Sequence, residues 1–122
     1  MPTVLLLEDD SGWLRIYRRE LEKISIVALE ATGIADARKL LASQSVDIIV
    51  VDGELQDARI ANTCAFVAQL RANGFAGHMI AASSDATWRE KLMAAGCNHN
   101  YSGMGKEGAI RKLFYVIHLY EL

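Results

Sequence analysis

The sequence contains only two cysteines, Cys64 and Cys97, and they form neither a CxxC pair nor a cluster with histidine. This scarcity argues against a disulfide framework or a thiolate metal site, and we expect two reduced thiols in or near the core. Long apolar runs are also missing, because none reaches the roughly 18 residues that span a bilayer. With no signal-peptide pattern at the N-terminus, we expect a cytoplasmic protein that does not contact membranes.

Neither sign of charge dominates, because 13 Lys and Arg residues face 15 Asp and Glu residues, which gives a net charge of -2. Direct nucleic-acid binding is therefore not expected. The three histidines, His78, His99 and His118, lack the spacing of a metal site. The only proline is Pro2, and no repeat or linker interrupts the chain. We therefore expect a single domain, 1–122, that is long enough to bury a core.

Carboxylates stand directly after two apolar segments. The first segment, 4–7, ends at Glu8 and Asp9, and the second, 48–51, ends at Asp52. A buried strand that ends in acids brings them to the carboxyl edge of a sheet, where α/β folds place their ligand sites. Carboxylates gathered at one edge repel each other unless a cation lies between them, and hard oxygen ligands suit Mg²⁺. The sequence therefore predicts a magnesium site at this edge.

Strand and helix patterns alternate along the whole chain. Apolar runs predict strands, and apolar residues at helical spacing predict the segments between them. This alternation is typical of an α/β protein with a doubly wound, five-stranded parallel sheet and helices on both faces. The predicted strands are 3–7, 24–29, 46–51, 78–82 and 98–102, and the predicted helices are 11–23, 34–43, one that ends at 73–74, one from 87 to 96, and 106–122.

Short polar side chains mark the expected helix starts. Asp10 or Ser11 is predicted to cap the first helix. A Thr-x-x-Glu capping box begins at Thr87. Ser84 and Asp85, shortly before it, are further candidate capping residues. Asp57 is interpreted as an acid of the loop that follows the third strand.

Over nearly all of its length the chain resembles the receiver domain of bacterial two-component response regulators. Three segments carry the resemblance: Leu7–Asp10 after the first strand, Val51–Asp52 after the third, and Ile80–Ser83 after the fourth. Each segment is short, and the specific signal is their order on a chain of five strand–helix units. The resemblance implies the flavodoxin-like (CheY-like) architecture and a signalling switch, more than an enzyme.

The resemblance also implies a Mg²⁺-dependent phosphotransfer. Asp52 would be the phosphoacceptor, a nucleophile that attacks the phosphohistidine of a sensor histidine kinase or phosphotransfer protein. Asp9 and Asp52 would bind Mg²⁺ directly, and Glu8 would act through water. The backbone carbonyl of Glu54 would be a further ligand. Ser83 would donate its hydroxyl to a phosphoryl oxygen and move toward it, which would bias a two-state arrangement of the fourth and fifth units. A downstream effector protein or domain would respond to that change.

The chain departs from the family pattern near its fifth strand. Gly103 and Met104 stand where the family has a lysine followed by proline, and Lys106 is the possible replacement cation. Asn100 takes the place of the family's switch aromatic, and Tyr101 follows one residue later. In a strand that slip would put Tyr101 on the opposite face, so a simple substitution is not expected. The loop after the third strand is also longer than usual.

Two other functions stay open at this point. The first is a pseudo-receiver, an interaction domain that keeps the fold and signals without phosphate, which Gly103 favours. The second is a small Mg²⁺-dependent phosphohydrolase that uses Asp52 as nucleophile, because Glu54 has the spacing of a general acid two residues beyond it. Analogy with the family further predicts a partner surface, of the kind that forms homodimers, on the fourth and fifth units, with Tyr115, His118 and Tyr120 on the last helix.

Overall fold

The computed structural model describes residues 1–103 and 105–121. Four parallel strands lie in the order β2-β1-β3-β4, and helices connect them, so the predicted α/β architecture is confirmed. No helix within these residues is long and apolar enough to cross a membrane. The elements are β1 (Val4–Leu7), α1 (Ser11–Glu22), β2 (Leu29–Ala31), α2 (Ile34–Ser43), β3 (Ile48–Val51), α3 (Ile60–Ala72), β4 (His78–Ala81), α4 (Ala86–Ala95) and α5 (Glu107–Leu119).

The sheet is covered on both faces, as its uninterrupted apolar strands predict. Successive side chains of a strand point to opposite faces, so β1 contributes to two separate cores. Val4 and Leu6 pack with residues of α1 and α5, whereas Leu5 and Leu7 pack with residues of α2, α3 and α4. The register of the sheet brings the carboxyl ends of β1 and β3 together, because Leu7 pairs with Val51.

The expected fifth strand at 98–102 is wrong in extent, because the described chain forms only an isolated bridge to β4 at His99. Side chains take over hydrogen bonds that a strand backbone would make. The Asn98 Oδ1 accepts the N–H of Met79 at 2.8 Å, and the Asn100 Oδ1 accepts the following backbone N–H at 2.8 Å. Asn readily makes such local bonds to the backbone, which compete with a ladder.

The second strand was expected at 24–29 and instead occupies Leu29–Ala31. The N–H groups of residues 24–26 bond to carbonyl groups at the end of α1, so the chain keeps turning after that helix. Ser25 has a φ of 60°, in the left-handed region that commonly follows a helix. The helix end therefore uses residues whose apolar pattern had suggested a strand.

Two helices are capped by the aspartate that directly precedes them. Asp10 caps α1, as predicted, by accepting the N–H groups of the second and third helical residues at 2.8 and 3.1 Å. Asp85 caps α4 in the same way, at 2.8 and 3.2 Å. The capping box at Thr87 is therefore wrong, because Thr87 lies inside α4 and the preceding aspartate takes the cap position. The end predicted for the last helix at Leu122 lies outside the described residues.

Asp57 does more than the loop acid that the sequence suggested. From the loop after β3 its carboxylate accepts the N–H groups of Ile34 and Ala35, at 2.8 and 3.2 Å. It thus caps α2 from a distant part of the chain, and these two bonds, that of Ile34 first, lower the pKa of Asp57. The long loop is thereby tied to the start of α2.

Replacing Asp57 by Ala is expected to lower the free energy of unfolding at pH 7, because two helix-start N–H groups lose their acceptor. Since the fold lowers the pKa of Asp57, this contribution is fully present above the pKa of the unfolded carboxyl. It is lost as the pH falls through the folded pKa. Urea unfolding of the wild type, Asp57→Ala and Asp57→Asn at neutral and acid pH measures the effect. The Asn variant keeps an acceptor oxygen and should keep part of the stability, and equal stabilities for wild type and Asp57→Ala at pH 7 would contradict the capping role.

Candidate functional site

The acids predicted to meet at the sheet edge do so. Glu8 and Asp9 follow β1, Asp52 follows β3, and the neighbouring strands bring one carboxylate oxygen from each residue to within 4.8 Å of the others. Glu8 is 2% exposed and Asp52 is 8% exposed, whereas Asp9 is open to solvent. These three side chains offer carboxylate oxygens, and a donor set of this kind fits Mg²⁺.

Lys106 lies against the same acids. It occupies the N-cap position of α5, and its ammonium group donates to Glu8 and lies 3.3 Å from Asp52 Oδ2. Only 8% of this lysine is exposed. Gly103 and Gly105 have φ angles of 101° and 75°, which turn the chain ahead of Lys106 in a way that other residues rarely adopt. Met104, which the resemblance aligned with the family's proline, lies outside the described residues.

Burial and crowding change the acid–base properties of this cluster. Burial, followed by the charge of Glu8, raises the pKa of Asp52 to about 7, although Lys106 opposes the shift. Burial and the charge of Glu8 also raise the pKa of Asp9. Burial acts to lower the pKa of Lys106, but its hydrogen bond to Glu8 and the charge of Asp52 outweigh burial, and the net shift is upward. Asp52 therefore carries its full charge only above neutral pH unless a further cation is bound.

Ser83 lies beside the acidic cluster. It follows β4 and is buried, and its Oγ accepts the N–H of Asp85 at 3.1 Å. Its Cβ is 3.4 Å from the point that a Cβ on Gly53 would occupy, which is van der Waals distance, so Ser83 packs beside the residue that follows Asp52. Gly53 in turn donates its N–H to Asp52 Oδ1 at 2.9 Å.

Tyr101 reaches Ser83 in spite of its one-residue offset. Its hydroxyl donates to the Ser83 carbonyl oxygen at 2.9 Å. The sequence argument against Tyr101 assumed a strand at this point, and the described chain forms no strand beyond the bridge at His99. Side chains therefore do not alternate between faces here, and the one-residue offset does not prevent Tyr101 from reaching the Ser83 carbonyl.

Arg89 is a residue of this region that the sequence did not single out. It lies on α4, is 4% exposed, and hydrogen-bonds to the Ser83 carbonyl and to Asn100. Arginine within a helix normally extends into solvent, so no pattern in the sequence indicated its burial. The contacts of Arg89 with the Ser83 carbonyl and with Asn100 depend on the tertiary structure, so sequence reasoning could not find them.

Glu54 remains the least supported of the predicted site residues. Its side chain is partly exposed, and the nearest cation among the described residues is Arg59, at 3.9 Å. This weak surface pairing gives no support to a general-acid role for the side chain. The use of its backbone carbonyl as a magnesium ligand stays a prediction.

The predicted partner surface on α5 is solvent-exposed in part. Tyr115 is 57% exposed and Tyr120 is 44% exposed. His118 also faces solvent and lies 2.9 Å from Glu121. These side chains are available for contact, and a homodimer through this surface stays a prediction.

No protein-family model and no curated protein sequence matches this chain. Solved structures do match it. The receiver domain of the Francisella response regulator 1452 superposes with a TM-score of 0.80 at 20% identity, over 99% of this chain and 98% of that one. TrrA of Thermotoga maritima, in complex with Mg(2+)-BeF, gives 0.77 at 14% identity, over 95% and 99%. MaeR, bound to beryllium trifluoride, gives 0.64 at 26% identity, over 99% and 98%. The chain therefore has the fold of response-regulator receiver (CheY-like) domains.

Proposed function

We propose that this chain is a receiver domain that accepts a phosphoryl group on Asp52 in a Mg²⁺-dependent phosphorelay. One observation carries the proposal: Glu8, Asp9 and Asp52 meet at one edge of the sheet, with the buried ammonium of Lys106 against two of them. A nucleophilic carboxylate beside a cation is the arrangement that phosphoryl transfer requires. The likeness to TrrA, a protein in complex with Mg(2+)-BeF, supports the same chemistry.

The roles of the individual residues follow from their positions. Glu8, Asp9 and Asp52 would hold Mg²⁺, which would offset charge on the transferring phosphoryl group. A carboxylate oxygen of Asp52 would attack phosphorus, form a P–O bond, and displace the partner's imidazole as the P–N bond breaks. Lys106 would pair with the new negative charge, and Ser83 would donate its hydroxyl to a phosphoryl oxygen.

A switch of this kind needs partners on both sides of the transfer. The phosphoryl donor would be a sensor histidine kinase or a phosphotransfer protein. The downstream partner would be an effector protein or domain. The exposed aromatic side chains of α5, Tyr115 and Tyr120, belong to the surface we propose for that contact, whether with an effector or with a second copy of the chain. A cytoplasmic location is part of the proposal.

Incubation with acetyl phosphate and Mg²⁺, followed by intact-protein mass spectrometry, tests the proposal. The wild type is expected to gain one phosphoryl group, and chelation of Mg²⁺ should suppress the gain. Asp52→Asn should show no gain, because an amide is not a carboxylate nucleophile. Asp57→Asn is a matched control, since it changes a nearby loop acid that lies outside the cluster and should label normally. Labelling that persists in Asp52→Asn would contradict the assignment of the acceptor.

A phosphate-independent interaction domain is the second candidate. The observation that favours it is the position of Lys106, whose ammonium contacts both Glu8 and Asp52 and so compensates their charge without a metal. If the folded wild type gains no phosphoryl group in the presence of Mg²⁺, this second function replaces the first.

A further inference from the structure

Arg89 is a buried arginine on α4. Among the described residues no carboxylate lies within ion-pair distance of its guanidinium group, although only 4% of the residue is exposed. A buried charge is costly unless hydrogen bonds replace its hydration. The bonds that Arg89 makes must therefore meet much of that cost, and they indicate what the residue organises.

Those bonds reach the loops on both sides of α4, because Ser83 lies before this helix and Asn100 and Tyr101 lie after it. Arg89 Nη1 donates to the Ser83 carbonyl oxygen at 2.9 Å, and Nε donates to Asn100 Oδ1 at 3.0 Å. The guanidinium carbon lies 4.3 Å from the centre of the Tyr101 ring, within the range of a cation–π interaction. One planar group thus contacts three separate residues at once, an arrangement that suits the rigid fork of a guanidinium better than the compact ammonium of lysine.

Tyr101 is held from more than one side. Its hydroxyl donates to the same Ser83 carbonyl that Arg89 binds, at 2.9 Å. On α5, Gly108 lies so close to the ring that an added Cβ would come within 3.0 Å of the ring Cγ. The half-buried ring therefore occupies a fitted position between α4, the end of β4 and α5.

We propose that Arg89 is a positioning residue that docks Tyr101 on the Ser83 carbonyl. The contacts of Arg89 with Ser83, Asn100 and the ring all favour the docked arrangement. Without the guanidinium group the ring keeps one hydrogen bond and becomes free to turn toward the groove beside Arg111 and Tyr115. The inference deepens the proposed function, on which its relevance to signalling rests, because Ser83 is the residue assigned to the phosphoryl group.

Fluorine NMR of the unmodified protein labelled with 3-fluorotyrosine tests the inference. The chain has four tyrosines, and Tyr101→Phe identifies the line of Tyr101. In the wild type this line is expected to be separate from the line of the exposed Tyr115, because the docked ring has a different environment. In Arg89→Met it should move toward the line of exposed Tyr115, with a loss in the docked-to-undocked ratio of roughly tenfold or more, as for loss of a charge-assisted bond.

Two further variants keep the test decisive. Arg89→Lys retains the charge and most of the stem, so it guards against misfolding of the Met variant, and it should shift the Tyr101 line in the same direction. Arg15→Met changes an exposed arginine on α1 and should leave the line in place. A purely structural role for Arg89 would lower the melting temperature without moving the line.

The inference is overturned if the Tyr101 line of folded Arg89→Lys coincides with that of the wild type. It is likewise overturned if the wild-type line already lies with that of Tyr115. The proposed function fails on a separate observation, the absence of a phosphoryl group on Asp52 in the mass spectrum. Because the fluorine spectra are recorded without any phosphodonor, the two failures are distinguishable.

Discussion

Replacing Lys106 by Met is expected to lower the free energy of unfolding by about 3–5 kcal/mol at pH 8 in the absence of divalent cations. The ammonium group of Lys106 is the only cation that the described residues place within ion-pair distance of Glu8 and Asp52. Its removal leaves two buried carboxylates and the adjacent Asp9 without compensation. Methionine keeps an apolar stem of similar length, so the loss reports mainly on charge.

Urea unfolding at pH 8 in the presence of a chelator measures this loss. Lys91→Met, which changes an exposed lysine on α4, is the control and should be nearly neutral. Addition of millimolar Mg²⁺ should raise the free energy of unfolding of Lys106→Met more than that of the wild type, because the metal would replace the missing positive charge. If Lys106→Met is no less stable than Lys91→Met, Lys106 does not balance the buried acids.

The same substitution bears on the proposed chemistry. A charge-assisted bond to a phosphoryl oxygen contributes about 1.5–3 kcal/mol, so Lys106→Met should slow labelling by acetyl phosphate roughly 10- to 100-fold. Comparison of labelling rates at saturating Mg²⁺ separates this effect from weaker metal binding. An unchanged rate would remove Lys106 from the transfer step and leave it a structural role only.

Asp52→Asn is expected to stabilise the domain. The fold raises the pKa of Asp52 from 3.8 to about 7, first through burial and then through the charge of Glu8. A raised carboxyl pKa means that ionisation costs stability, and this cost begins as the pH rises above the unfolded pKa and is complete above about 7. The gain in Asp52→Asn should therefore be close to zero at acid pH and on the order of 4 kcal/mol at pH 8.

Urea unfolding from pH 4 to pH 8 in the presence of a chelator follows this gain. In Asp52→Asn, Lys106 still faces Glu8, so one buried ammonium balances one buried carboxylate. Asp36→Asn, at an exposed position on α2, is the control and should show little change with pH. A gain that is equal at both ends of the pH range would show that Asp52 titrates normally and that its burial carries no electrostatic cost.

Features that depend on near neighbours in the chain were predicted well. The boundaries of α2 agree with the prediction, and Asp10 caps α1 as expected. The strands β1 and β3 were evident because both of their faces are buried, which leaves an unbroken apolar run. Since parallel strands place their carboxyl ends at one edge, the meeting of Glu8 with Asp52 followed from the same pattern.

Features that depend on competition for backbone hydrogen bonds were predicted poorly. The segment 24–29 has a strand composition, but its first N–H groups are taken by the end of α1. Thr87 has the pattern of a capping box, but Asp85 accepts the N–H of Thr87, and the helix therefore begins before Thr87. Asn98 replaces a ladder bond of the fifth strand with its side chain. Propensity cannot rank such rival partners, because the energy of each depends on what else is buried beside it.

The sequence alone thus determined the α/β order, the two covered strands and the acids at their ends, because periodicity and strand direction are properties of the chain. Folding decided which side chains complete the site. Lys106 meets Glu8 across 98 residues, and Arg89 meets Ser83 and Tyr101 from a helix whose sequence resembles any solvated one. Burial, which makes these contacts strong, is created only when the helices pack on the sheet and exclude water from the charges.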